Sequence, residues 1–191
     1  MKRLIAALPL LIAGIAHADS VEWKLDPSHT SVGFSVPHLV VSSVDGRFKT
    51  STAKIALDDA DLTKSQVSLE ADVSSIDTGD QKRDDHLKSP DFFDAKKFPK
   101  LTFKSTKIAK AGSAYKLTGD LTIRDVTKSV TFDATVSAPV KTPWGNQARA
   151  AKVTGKIKRA DFGLKWNKAL ETGGVVDGDE VTIDVKAEVT K

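Results

Sequence analysis

The stretch Ser31-Val32-Gly33-Phe34-Ser35-Val36-Pro37-His38 puts Val32, Phe34, Val36 and His38 on every second position. A period of two belongs to a strand with one buried and one wet face, because successive side chains leave a pleated backbone on opposite sides. The same period recurs outward from this stretch. Val67, Leu69, Ala71 and Val73 show it, then Tyr115, Leu117, Leu121 and Ile123, then Val130, Phe132, Ala134 and Val136. Val153 and Ile157 continue it, and Val181, Ile183, Val185, Ala187 and Val189 close the series. Valine, threonine and phenylalanine dominate these runs, as suits a pleated, half-buried surface. Turn formers separate them at Lys110-Ala111-Gly112-Ser113, Arg124-Asp125-Val126, Thr142-Pro143-Trp144-Gly145-Asn146 and 173–178. The pattern predicts eight or nine strands in an all-β, antiparallel barrel.

Two local features bear on how that sheet closes. Between Val44 and Asp58 the apolar parity changes, from Val44 and Phe48 to Ala53, Ile55 and Leu57, which predicts a bulge near Ser51-Thr52. One extra residue re-aims a strand and lets a long sheet curl. The strand pattern breaks at 39–43 and again at 78–98, where 80–87 reads as a helical turn or two. Long connections of this kind lie over the open ends of a barrel, where ligands enter.

The chain begins with Lys2 and Arg3, an apolar run over 4–15, and Ala16-His17-Ala18. A charged start, about a dozen apolar residues and a small-x-small end make a cleavable export signal, so residues 1–18 are expected to be removed and 19–191 to form one domain. Removal takes away two of the 29 basic residues and none of the 25 acidic ones, leaving a net charge of +2. That balance offers no basic face for nucleic acid. With no cysteine, neither a disulfide framework nor a lipid-modified cysteine is available.

Several motifs go beyond patterning. Asp26-Pro27-Ser28-His29-Thr30-Ser31, Phe34-Ser35-Val36-Pro37-His38-Leu39 and Arg83-Asp84-Asp85-His86-Leu87-Lys88-Ser89-Pro90-Asp91-Phe92-Phe93-Asp94 stand in that order. Leu101-Thr102-Phe103-Lys104-Ser105, Gly119-Asp120-Leu121-Thr122-Ile123 and Asp161-Phe162-Gly163-Leu164 follow. Over 23–191 these resemble the YceI family of bacterial polyisoprenoid-binding proteins. The resemblance implies a lipocalin-like, eight-stranded antiparallel barrel with short helical segments over its ends. It also implies a bound isoprenoid lipid or isoprenoid quinone in place of a cofactor, and usually a periplasmic location. The family commonly has glycine where Asp125 stands and often proline where Ser129 stands, which bears on one turn and not on the fold.

Closing about eight strands leaves an interior that side chains either fill or leave open for one small ligand. Phe34, Val36, Phe48, Phe92, Phe103, Tyr115, Phe132, Phe162 and Trp166 are the candidates to line such a channel. Each alone is better read as ordinary core, because aromatic residues are mostly buried for packing; the resemblance reverses that balance for the set. A filled barrel acting as an interaction module of the cell envelope is the alternative. A ceiling near 0.3 kcal/mol per heavy atom still gives about 12 kcal/mol for a tail of about 40 carbons, so carriage needs no covalent chemistry.

His38 shares the parity of Val32, Phe34 and Val36, so it is expected at an inward strand tip, facing a ligand head group or capping the strand. His86, beside Arg83 and Lys88 in the expected lid, reads as facing a diphosphate or quinone oxygen, or as pairing with Asp84 and Asp85. The spacing of His29, His38 and His86 gives no His-x-His or His-x₃-His pair, so no metal site is expected. Ser28, His29 and Asp26 are neighbours on a turn opening, and Gly-x-Ser-x-Gly is missing, so no catalytic residue is expected. Gly173, Gly174 and Gly178 lack the context of a nucleotide loop. Trp144 reads as packing over the barrel end or touching a membrane transiently, and the protein as a monomer or homodimer.

Overall fold

Eleven antiparallel strand segments form one sheet in the computed structural model, which describes residues 20–39, 41–168 and 176–191. The expected leader at 1–18 lies outside the described residues, as do Gly173 and Gly174. The strands are β1 (Val21–His38), β2 (Ser42–Phe48), β3 (Ser51–Leu57), β4 (Gln66–Asp72), β5 (Ile76–Asp77), β6 (Lys100–Ala111), β7 (Ala114–Ile123), β8 (Val126–Val136), β9 (Val140–Lys141), β10 (Gln147–Lys158) and β11 (Glu180–Thr190). The sheet runs from β11 through β10, β8, β7, β6, β4 and β3 to β1, and the pairing of β11 with β1 closes it. Closure removes the open edges that would otherwise recruit another chain.

The segments make eight staves, because two pairs of them are single strands with a break and the two-residue β9 pairs only with β10, off the barrel path. Both β2 and β3 pair antiparallel with β1, at Val32–His38 and Val21–Trp23 respectively, and are separated only by residues 49–50. Likewise β4 pairs with β3 and β5 with β2, with the 3₁₀ turn Val73–Ser75 between them. The parity change expected at Ser51-Thr52 is therefore present, two residues earlier, and it turns Phe48, Ala53 and Ile55 to the same interior. A second bulge balances it on β1. Asp26 faces Glu188 and Ser31 faces Lys186, so five steps of β1 span two of β11. That odd surplus moves the inward face from Leu25 to Val32, and Pro27, which has no N–H to donate, sits where the ladder is interrupted.

The hairpins follow the turn signals. Gly112 takes the left-handed conformation (φ +64°) in the tight β6–β7 turn. In the β7–β8 turn Ile123 pairs with Val126, and Arg124 is left-handed (φ +58°) while Asp125 is not. The departure from the family's usual glycine at Asp125 thus falls on the residue that does not need one. A helix, α1 (Gln81–Lys88), occupies the region expected to be helical and lies with the 3₁₀ turn Arg159–Phe162 at one end of the barrel. The 3₁₀ turn Leu62–Lys64 lies at the other. Among the described residues no helix is long and apolar enough to cross a membrane.

Candidate functional site

The inward faces of the staves do not meet. They enclose a cavity of about 640 Å³ whose wall is almost wholly apolar, within the range of about 300–1,000 Å³ typical of small-molecule sites. Phe34, Val36, Phe48, Phe103, Tyr115 and Phe132 stand on its wall. Phe92 and Trp166 stand at its α1 end, their ring centroids 5.2 Å apart. Phe162 does not line it. That residue is buried with Leu164 and Val181 in the packed rim, because it lies on the 3₁₀ turn beyond β10, where strand alternation no longer sets its direction. Phe93, which the sequence reading passed over, lines the cavity and meets Phe48 edge to face at 5.9 Å.

Trp23, only 1% exposed, closes the lower end from beneath without itself lining the cavity. It packs with Ile55, Leu57 and Val189, which line the lowest part of the cavity. Arg149 lies 5.3 Å and Lys191 4.8 Å from the centre of its ring. Arg149 shares the parity of Ala151 and Val153, so it points inward, and its Nη2 donates to Asp59 at 2.8 Å. Lys191 pairs with the same carboxylate. Its hydrogen bond, followed by the charges of Lys191 and Arg149, holds Asp59 below the usual carboxylate range against the opposing effect of burial. A cation buried at this depth needs such a partner.

The opposite end is the mouth. Asp80 caps α1 by accepting from Arg83 N at 2.9 Å, and the buried Asp84 accepts from Thr78 N at 2.9 Å and Thr78 Oγ1 at 2.6 Å. Arg83 donates to Thr78 Oγ1 and Thr78 O, both at 2.8 Å, so its guanidinium is tied to the lid while standing at the cavity rim. His86 donates from Nε2 to Asp91 at 2.9 Å, not to Asp84 or Asp85. Its ring meets Phe92 and Trp166 edge to face at 5.0 and 4.8 Å. His38 lines the mouth and donates from Nδ1 to Asp177 at 3.2 Å, so it stitches the end of β1 to the segment before β11. The buried Arg159 donates to the carbonyls of Gly178, Leu164, Trp166 and Asp177 and so fixes the rim. Arg149 escaped the sequence reading although it sits on inward parity of β10, the signal that would have found it; Arg159 opens the 3₁₀ turn beyond the strand.

His29 lies outside the barrel, in the β1 bulge. Asp26 accepts from His29 Nδ1 at 2.9 Å, from Ser28 N at 2.8 Å and from Ser28 Oγ at 2.6 Å. Both the serine and the histidine are aimed at the carboxylate, so this is not the relay of a nucleophilic triad, in which serine bonds to the histidine nitrogen remote from the acid. Glu188 brings a third potential ligand atom near Asp26 and His29, all within 4.8 Å, on the outer wall away from the cavity. The hydrogen bond to Asp26, then the Asp26 and Glu188 charges, raises the His29 pKa; the His29 and Ser28 hydrogen bonds depress that of Asp26.

The sign of the resulting pH dependence is fixed. The raised His29 value gives a stabilisation present below the free-imidazole pKa and lost as pH rises through its own. The depressed Asp26 value gives one present above the ordinary carboxylate pKa and lost as pH falls through its own. In an NMR titration His29 should titrate above a free imidazole, and Asp26→Asn should bring it back. An unchanged His29 titration in that variant would refute the pairing.

With this geometry in view, the likeness to known proteins is extensive. The family model described as "YceI-like domain" matches residues 23–189. The UPF0312 protein SAS2572 of Staphylococcus aureus (strain MSSA476) is 39% identical over 167 residues, covering 87% of this chain and 95% of that protein. Burkholderia cenocepacia BcnA superposes with a TM-score of 0.76 at 28% identity, over 86% of this chain and 98% of its own. The Campylobacter jejuni YCEI protein gives 0.70 at 33% identity, over 90% and 98%. A domain from Saccharophagus degradans, described as polyisoprenoid-binding and implicated in plant cell wall breakdown, shares the fold with a TM-score of 0.61 at 16% identity, over 87% and 97%. From Trp23 to Val189, closed barrel, helical lid and motifs included, this chain belongs to the YceI-like family.

Proposed function

We propose that the protein is a periplasmic binding and carrier protein that holds one long isoprenoid chain, of polyprenyl or quinone type, and performs no catalytic step. The observation that carries this reading is the apolar cavity that runs from the α1 end of the barrel down to Trp23. Each CH₂-sized group moved from water to such a wall contributes about 0.8 kcal/mol, so affinity grows with tail length and favours a long hydrocarbon over a compact solute. The tail lies along the tube, and the polar end stays at the mouth beside His38, Arg83 and His86. The leader read in residues 1–18 supports export. The unfilled interior counts against the filled-barrel interaction module.

Trp144 is 86% exposed on the hairpin between β9 and β10, at the floor end, so packing over the barrel end does not describe it. A membrane contact made there would hold the mouth away from the bilayer. Transfer through the mouth instead requires the other end to approach, where Val41 stands exposed.

Native mass spectrometry after detergent-free purification, with melting in the presence of isoprenoid quinone or polyprenyl phosphate, tests the reading. A lipid adduct is expected. At a ligand concentration of about 100 Kd the stabilisation is about 2.7 kcal/mol, a rise of roughly 5–10 °C for a domain of this size. A lipid-free protein whose melting neither compound shifts would end the carrier reading.

A further inference from the structure

We propose that Gly46, Gly119 and Gly155 set the bore of the tube and thereby select the cross-section of the chain it holds, on the reading that the ligand is an isoprenoid. Each occupies an inward position of its strand, where a side chain is expected. Gly46 falls between Val44 and Phe48, Gly119 between Leu117 and Leu121, and Gly155 between Val153 and Ile157. The sequence shows these positions only as gaps in the apolar alternation.

In each gap a ring from the adjoining strand lies against the wall. Phe34 faces Gly46 across β1 and β2, and a Cβ on Gly46 would stand 2.3 Å from its Cζ and 2.9 Å from both Cε atoms. A Cβ on Gly155 would stand 2.5 Å from Cδ1 of Phe132. On Gly119 it would stand 2.4 Å from Cζ of Phe103 and also 2.4 Å from the Lys104 carbonyl oxygen. Separations this short are not tolerated, so a ring facing a methyl group must swing off the wall. A ring that swings into the lumen narrows the bore. Large residues at Phe34, Phe103 and Phe132 are therefore compatible with an open tube only because their neighbours are glycine, a residue that marks close approach within strands.

Bore matters to the choice of ligand because a polyprenyl chain carries a methyl branch on every isoprene unit, whereas a saturated acyl chain carries none. Narrowing penalises the branched chain first. Gly46→Ala is the informative variant, since the three atoms nearest its Cβ all belong to the Phe34 ring, whereas Gly119→Ala also strikes backbone.

The test measures affinity for ubiquinone-8 and for palmitate in the wild-type protein, in Gly46→Ala, and in Gly46→Ala with Phe34→Leu, which lacks the conflicting ring atoms. Gly46→Ala is expected to lose ubiquinone-8 affinity by about tenfold or more and palmitate affinity by less than about threefold, and the double variant to recover the quinone. Undiminished quinone binding by Gly46→Ala, beside normal wild-type binding, overturns the bore proposal alone. A wild-type protein that binds neither ubiquinone-8 nor polyprenyl phosphate removes the carrier reading and this proposal with it. Should Gly46→Ala fail to fold, the double variant decides. Recovery of folding and quinone binding supports the proposal; failure of either overturns it.

Discussion

Replacing Ala53 by phenylalanine is expected to make the protein discriminate by chain length. Ala53 faces inward on β3, just above Trp23, and lines the lower cavity. A ring placed there occupies the space that the last carbons of a long tail would take and leaves the upper tube unchanged. Displacing about four carbons at about 0.8 kcal/mol each costs roughly 3 kcal/mol, or about a hundredfold in affinity for ubiquinone-8. Ubiquinone-2, whose tail ends higher in the tube, should be held within about threefold of wild type. Calorimetric titration of both quinones measures this, and equal losses for the two would show that the tail does not reach the floor.

The second large effect concerns the floor itself. Trp23→Ala should lower stability by about 3–5 kcal/mol, the range for a large buried aromatic residue whose cavity cannot fully collapse. Two features put it at the upper end. Arg149 and Lys191 both lose the ring face they lie over, and Arg149, almost fully buried, keeps its pairing with Asp59 and a long hydrogen bond to the Ser137 carbonyl. The urea midpoint should fall with little change in slope. A loss below about 1 kcal/mol would mean that Trp23 fills space without closing the barrel.

The staves were legible because period-two alternation depends only on which face is wet, and β7, β11 and β8 from Val130 onward obey it. The parity change before Ala53 was legible for the same reason. The bulge at 27–30 was not, because its effect appears only when β1 is set beside β11, far away in sequence. Of the mouth, the sequence indicated His38, Arg83 and His86 but not their partners. Asp177 meets His38 across 139 residues, and Asp91 reaches His86 only because the chain after α1 folds back.

The inward arginines escaped for a different reason. A charge on a buried face contradicts the patterning rule, and only the fold supplies what permits it: Asp59 for Arg149 and four carbonyls for Arg159. Phe162 failed in the opposite sense. Aromatic character marked it for the interior but could not say which side of the rim it packs on.

The most direct measurement is a crystal structure of the processed protein purified without detergent, with no ligand fitted to the density inside the barrel until the protein is complete. The expected result is one elongated, continuous feature running from the rim between His86 and Trp166 down to Ile55, Leu57 and Val189, the layer above Trp23. A tube occupied only by water, or closed by inward rotation of Phe34, Phe103 and Phe132, would contradict it.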